Sequence, residues 1–222
     1  MSFITELETE YNKNRNLETA IPMAKYMKNL FSFYGIKAEQ RRSIFKEVCK
    51  VNKEELTLNT REIAWKLFNN KYRELHYCGI EILIKYLKNN YQKDDINLIE
   101  KLLVTNSWWD SVDTISKFIL GEYLNEFPDE TVKVIADFSN SKNMWLNRSV
   151  LLFQLGYKDK TNAEILFAEC KKQSQSKEFF IQKAIGWALR EYGSTNPSLV
   201  INFVNATQFK PLSKKEALRK LI

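Results

Sequence analysis

The sequence predicts an all-α chain, a solenoid of short helical repeats, on three grounds. Turn formers are scarce: 222 residues hold six glycines and four prolines, too few for a β-sandwich or a doubly wound sheet. Apolar residues recur at i, i+3, i+4 and i+7, the period of an amphipathic helix, and no segment alternates cleanly in twos. A tyrosine also returns at nearly constant spacing, with Tyr86, Tyr123, Tyr157 and Tyr192 standing 37, 34 and 35 residues apart.

The helical segments follow in order. "REIAWKLF" (61–68) and "LHYCGIEILIKYL" (75–87) come first, then "INLIEKLLV" (96–104) after the polar break "NNYQKDD". "VDTISKFILGEYL" (112–124) is closed by "EFPDE", and "TVKVIADF" (131–138) precedes "WLNRSVLLFQLGY" (145–157). "AEILFAEC" (163–170) leads to "FFIQKAIGWALREYG" (179–193), and "SLVINFV" (198–204) follows the break "GSTNPS". Asp, Ser, Thr or Asn stands in the breaks wherever a helix N-terminus needs a side-chain acceptor.

Ten residues before each of the four tyrosines stands a polar head: His76, Asp113, Asn147 and Gln182. One step on come Tyr77, Thr114, Arg148 and Lys183, and one unit back the register meets Arg41 and Arg42, with Val51 in the tyrosine place. A self-similar helical unit of this length means an α-solenoid. The tetratricopeptide signature is absent, so the repeat reads as HEAT-like and the whole chain, 1–222, as a single repeat domain. Stacked helix pairs would give a curved body whose concave side carries the heads as a polar, basic stripe, a shape suited to duplex DNA.

Composition narrows the function. The N-terminus "MSFITELETEYNKN" has no basic start followed by an apolar run, and no apolar stretch reaches the length of a membrane span. Cys49, Cys78 and Cys170 are isolated and form no CxxC, so they read as reduced core thiols of a cytoplasmic protein. With His76 as the sole histidine, the usual zinc and iron–sulfur ligand patterns are missing. Neither GxGxxG nor GxxxxGK[ST] occurs. The expectation is chemistry without a metal or a cofactor.

The net charge of +7 is unevenly placed. From residue 141 onward 14 Lys/Arg face 6 Asp/Glu, a net of +8, which leaves about −1 for the first 140 residues. The asymmetry fits a polyanion partner, and it fits equally a solvated face that aids solubility.

The stretch "NSWWDSVD" (106–113) is the candidate site. Ser107 and Asp110 have capping-box spacing and read as the helix start. Asp113 lies beyond the first turn, where capping no longer explains it, and occupies a head position. Trp109 is four residues earlier, hence on the same helical face. Trp108 and Trp145 read as core. Trp187 lies between Lys183 and Arg190 and could face the same groove.

A carboxylate with aromatic neighbours and no cofactor suits cleavage of an N-glycosidic bond on DNA. It can stabilise the positive charge that develops on the deoxyribose and orient the attacking water. An alkylated purine that is already cationic departs without a general acid. Arg148 is better suited to a backbone phosphate than to acid catalysis.

At these residues the sequence resembles the AlkD family of DNA alkylation repair proteins, HEAT-like-repeat DNA glycosylases. The strings that carry the likeness are "MAKYMKN" (23–29), "SWWDSVD" (107–113), "WLNRSVLLFQLGYK" (145–158), "SKEFFIQKAIGWALREYGSTNP" (176–197) and "PLSKKEA" (211–217). They span nearly the whole chain. The resemblance implies that Asp113 is the catalytic carboxylate and that Trp109 and Trp187 flank the sugar of the lesion. It implies that Arg148 contacts the backbone and that Tyr26 lines the groove from the N-terminal side. Beside the resemblance, the basic C-terminal half and the head register offer Lys183, Arg190 and Arg42 as further DNA contacts. In "GIKAEQRRS" (35–43) the chain has Glu39, a first-turn position, where members of that family often carry proline. That departure bears on Arg41 and Arg42 and not on the catalytic set.

The expected protein is thus a monomeric, monofunctional glycosylase releasing cationic N3- or N7-alkylpurines from duplex DNA. The alternatives are a non-catalytic relative that binds distorted or branched DNA and a repeat scaffold for an acidic protein.

Overall fold

The computed structural model describes residues 2–221, and among them the regular structure is helical, apart from one isolated bridge between Ser32 and Tyr72. The chain gathers into two compact units, Met1–Gln92 and Lys93–Ile222.

In the first unit α1 (Phe3–Lys13) is capped by the Ser2 hydroxyl, which accepts from the Thr5 amide, and buries Phe3, Leu7 and Tyr11 at four-residue spacing. Each such apolar side chain contributes roughly 1.5–3 kcal/mol on burial. This face packs on α3 (Ala38–Val51), while α2 (Leu17–Tyr26) starts at an Asn16 cap and stops where Lys28 and Asn29 turn left-handed. Glu39 sits in the first turn of α3 as its sequence position implied. After the short α4 (Lys53–Leu58), α5 (Thr60–Phe68) lies against α6 (Arg73–Tyr86). Gly79 permits that approach, since a Cβ there would stand 2.6 Å from the Ala64 carbonyl oxygen. Buried Glu74, at the start of α6, holds the incoming loop by accepting from the amides of Tyr34, Gly35 and Ile36.

The second unit alternates partner helices. α7 (Asp95–Val104) precedes α8 (Trp109–Ile115), which runs through a π turn (Ser116–Leu120) into α9 (Gly121–Glu126). The Ser116 hydroxyl donates to the Val112 carbonyl at 2.6 Å at the start of that turn. Gly121, directly after it, admits the Phe153 carbonyl, which a Cβ would meet at 2.5 Å. α10 (Thr131–Asn140) packs on α11 (Met144–Leu152), and α12 (Ala163–Lys172) on α13 (Phe179–Gly193). α14 (Pro197–Ala206) and α15 (Pro211–Leu218) complete the packing around α13. The core here joins Leu151, Leu152, Ile181, Ile185, Leu189 and Val200.

α3 and α6 have equal lengths of 14 residues, and Val51 and Tyr86 close them. Tyr192 also lies at its helix end, whereas Tyr123 is inside α9 and Tyr157 follows α11 in a turn. Tyr157 is nonetheless used, donating its hydroxyl to the Gly121 carbonyl at 2.6 Å.

Three of the heads do not form the outward polar stripe that the spacing implied. Each turns back on its own unit and donates to the carbonyl six residues earlier: His76 Nε2 to Asn70 at 2.7 Å, Asn147 Nδ2 to Ser141 at 3.0 Å, and Gln182 Nε2 to Ser176 at 3.1 Å. Because a carbonyl only accepts, His76 carries its proton on Nε2, and its Nδ1 faces Arg73 Nη1 at 3.1 Å. The head position is therefore a lock on the turn before the helix. Asp113 is the exception, since a carboxylate has no hydrogen to give.

Candidate functional site

The site is built from the start of α8. Its N-cap is Trp108 in extended conformation, and no side chain caps it. The capping box expected of Ser107 and Asp110 does not form: Ser107 Oγ donates backward to the Leu103 carbonyl at 2.6 Å. A hydroxyl that finds a carbonyl four residues back in the preceding helix is lost to the next one. Trp108 is anchored instead by its ring, 5.9 Å from Trp145 and 5.2 Å from Phe180 between centroids. Trp145 and Phe180 close the triangle at 5.2 Å.

One turn into α8, Asp113 meets Arg148 of α11. Arg148 Nε donates to Oδ1 at 2.7 Å and Nη2 to Oδ2 at 2.9 Å, a parallel two-bond fork. The third nitrogen, Nη1, donates to the Phe180 carbonyl at the start of α13. One guanidinium thus links α8, α11 and α13. Both side chains are largely enclosed, at 5% exposure for Arg148 and 13% for Asp113. Burial pushes the Asp113 carboxyl above the usual aspartate range; the Arg148 hydrogen bonds and charge pull it back, and Asp110 adds to the rise. Removing one partner of a pair this enclosed costs about 3–5 kcal/mol.

Trp109, the first residue of α8, is half-buried and lies one turn before Asp113. Trp187 is half-buried on α13 against the core of the second unit. It stands seven residues after Phe180, hence about 10 Å further along the same face of the helix that Arg148 holds. Lys183 and Arg190 flank it on α13, and both are bonded to Glu216 of α15, at 2.9 Å each. The structure therefore joins Asp113 to Arg148 directly, and Lys183 to Arg190 through Glu216.

Tyr26 and Arg42 belong to the first unit. Tyr26 ends α2 with 68% exposure. Arg42, on α3, has a side chain 69% exposed, 3.9 Å from Glu81. Its neighbour Arg41 is buried and spends its guanidinium on Glu81 and on Cys78, 3.4 Å from the sulfur. Two residues with a part in the site were missed by sequence reasoning. Phe180 is marked only by the doubled "FF" that opens α13, and Glu216 only as the lone acid among Lys214, Lys215, Arg219 and Lys220.

A family model described as DNA alkylation repair enzyme matches residues 7–221. Among solved structures, a protein from Enterococcus faecalis described as a predicted DNA alkylation repair enzyme is 32% identical. The alignment covers 93% of this chain and 96% of that one, with a TM-score of 0.82. No curated protein matches the chain.

Proposed function

The chain belongs to the family of DNA alkylation repair enzymes, and from that premise we propose that it is a monofunctional DNA glycosylase of base excision repair. Its substrate in this reading is duplex DNA carrying a purine made cationic by an N3- or N7-alkyl group. Hydrolysis of the N-glycosidic bond releases the base and leaves an abasic site.

The chemistry suits the residues. The bonding electrons leave with the base and neutralise it, so no general acid is required. C1′ of the deoxyribose gains oxocarbenium character, water adds there, and its proton is lost. Asp113 supplies the negative charge facing that cation and an acceptor for the water. Indole faces of Trp109 and Trp187 add cation–π attraction of roughly 0.5–2 kcal/mol per contact. Arg148 keeps the carboxylate ionised and aimed. Three of its five N–H groups already donate within the protein, which supports a part in positioning Asp113, and a backbone phosphate would take the two that remain.

The observation that carries this reading is the exception among the heads. His76, Asn147 and Gln182 lock their own turns, whereas Asp113 is held by an arginine 35 residues away. A carboxylate that locks no turn of its own and is paired with an arginine in a largely dry place is fitted to meet a cation.

The test is a duplex with a single N7-methylguanine. Free base should appear while the strand stays intact until the abasic site is cleaved chemically. No free base would defeat the glycosylase reading, and direct strand scission would defeat the monofunctional one.

A further inference from the structure

Glu216 has no part in the chemistry above, yet three cations of the second unit converge on its carboxylate. Its Oε1 takes Lys183 Nζ at 2.9 Å, and its Oε2 takes Arg190 Nη1 at 2.9 Å with Arg219 Nη1 at 4.0 Å. Arg190 Nη1 also donates to the Glu216 backbone carbonyl at 2.8 Å. These bonds hold its carboxyl below the usual glutamate range, the Lys183 hydrogen bond foremost.

Lys183, Trp187 and Arg190 are spaced i, i+4 and i+7 on α13, one turn apart on a single face. Glu216 grips the first and the last. Gly186, the residue before Trp187, lets α15 come close enough to do so: a Cβ there would lie 2.3 Å from Glu216 Cβ and 3.1 Å from the Ser213 carbonyl. Trp187 itself packs on the core that includes Ala217 and Leu218, the two residues after Glu216.

We propose that Glu216 is a positioning residue for Trp187: it clasps Lys183 and Arg190 on either side of the indole and sets α13 against α15, so that the ring is presented at one fixed angle. Its catalytic consequence rests on the glycosylase reading; its structural part does not. The usual expectation for an acid on a basic, DNA-facing helix is the reverse, since removing it should only strengthen the hold on phosphate.

Glu216→Gln separates the two. Trp187→Phe identifies the Trp187 indole signal among those of the five tryptophans in a 15N correlation spectrum of the free protein. The Gln variant should shift or broaden that signal and leave the Trp109 signal in place. An unmoved Trp187 signal overturns the proposal. On duplex DNA with N7-methylguanine, kcat should fall roughly tenfold, a fraction of the hundredfold that a misplacement of about 1 Å costs, while KM stays level or drops. An unchanged kcat with a lower KM overturns the catalytic consequence and makes Glu216 a simple charge. If wild-type protein releases no base but the indole signal moves in the variant, the glycosylase reading fails and the clasp stands. Should the Gln variant not fold, Lys183→Met opens the clasp from its exposed end and must move the same signal.

Discussion

Asp113 and Arg148 are joined across α8 and α11 by two hydrogen bonds, of 2.7 and 2.9 Å. The pair replaces, at one repeat, the turn lock that His76, Asn147 and Gln182 provide at the others. Its placement ties the ionisation of the carboxylate to an arginine of another helix in the same compact unit, and that dependence has measurable consequences.

The pH profile of base release should show it. Asp113 acts as an anion, and burial raises its pKa, so activity should disappear on acidification at a pH above the ordinary aspartate value of about 3.9. Arg148→Met removes the lowering contribution and should move the acid limb further up. Profiles of kcat for the two proteins that superimpose would contradict this.

The same shift has a sign in stability. A carboxyl whose folded pKa lies above its unfolded one binds more protons folded than unfolded. Asp113 should therefore favour the folded state more at acid pH, and its contribution should fall as pH rises between the two values. Asp113→Asn should flatten that window in denaturant titrations.

Reversing a head elsewhere should damage the fold. Asn147 donates to the carbonyls of Phe138 at 2.9 Å and Ser141 at 3.0 Å. In Asn147→Asp a carboxylate would face both, at a cost of at least about 2 kcal/mol, read as a lower unfolding midpoint. Asp113→Asn keeps Arg148 its bond to Phe180 but leaves the buried guanidinium without a counter-charge. It should lower the midpoint as well, by up to about 3–5 kcal/mol, the cost of a broken enclosed pair.

Duplex affinity should fall steeply with salt. Lys183→Ala should weaken binding to all sequences alike and reduce the salt slope by about 1. A slope unchanged by that substitution would place Lys183 away from phosphate.

Much of this architecture is legible in the residues. The apolar period of 179–193 becomes α13, and three of the four residues standing ten before a tyrosine share one hydrogen-bond pattern. The cap of α8 is not legible, because the Ser107 hydroxyl has a competing carbonyl in α7 that only packing reveals. Nor is the π turn, which the Ser116 hydroxyl opens with its bond to Val112 and Gly121 follows under the Phe153 carbonyl. Asp113 is conspicuous by position, but its partner is not: that Arg148 bonds to it shows only when the fold brings α11 beside α8. Glu216 lies beyond Tyr192, the last of the regularly spaced tyrosines, so no register points to it.

The most direct measurement of the central claim is the single-turnover rate of N7-methylguanine release from duplex DNA by wild-type protein and by Asp113→Asn. The Asn variant keeps the side chain's shape and removes its charge. A loss of about 10²–10³-fold, the size expected when one preorganised electrostatic group is removed, with DNA affinity retained, is the predicted result. Equal rates for the two proteins would contradict the account.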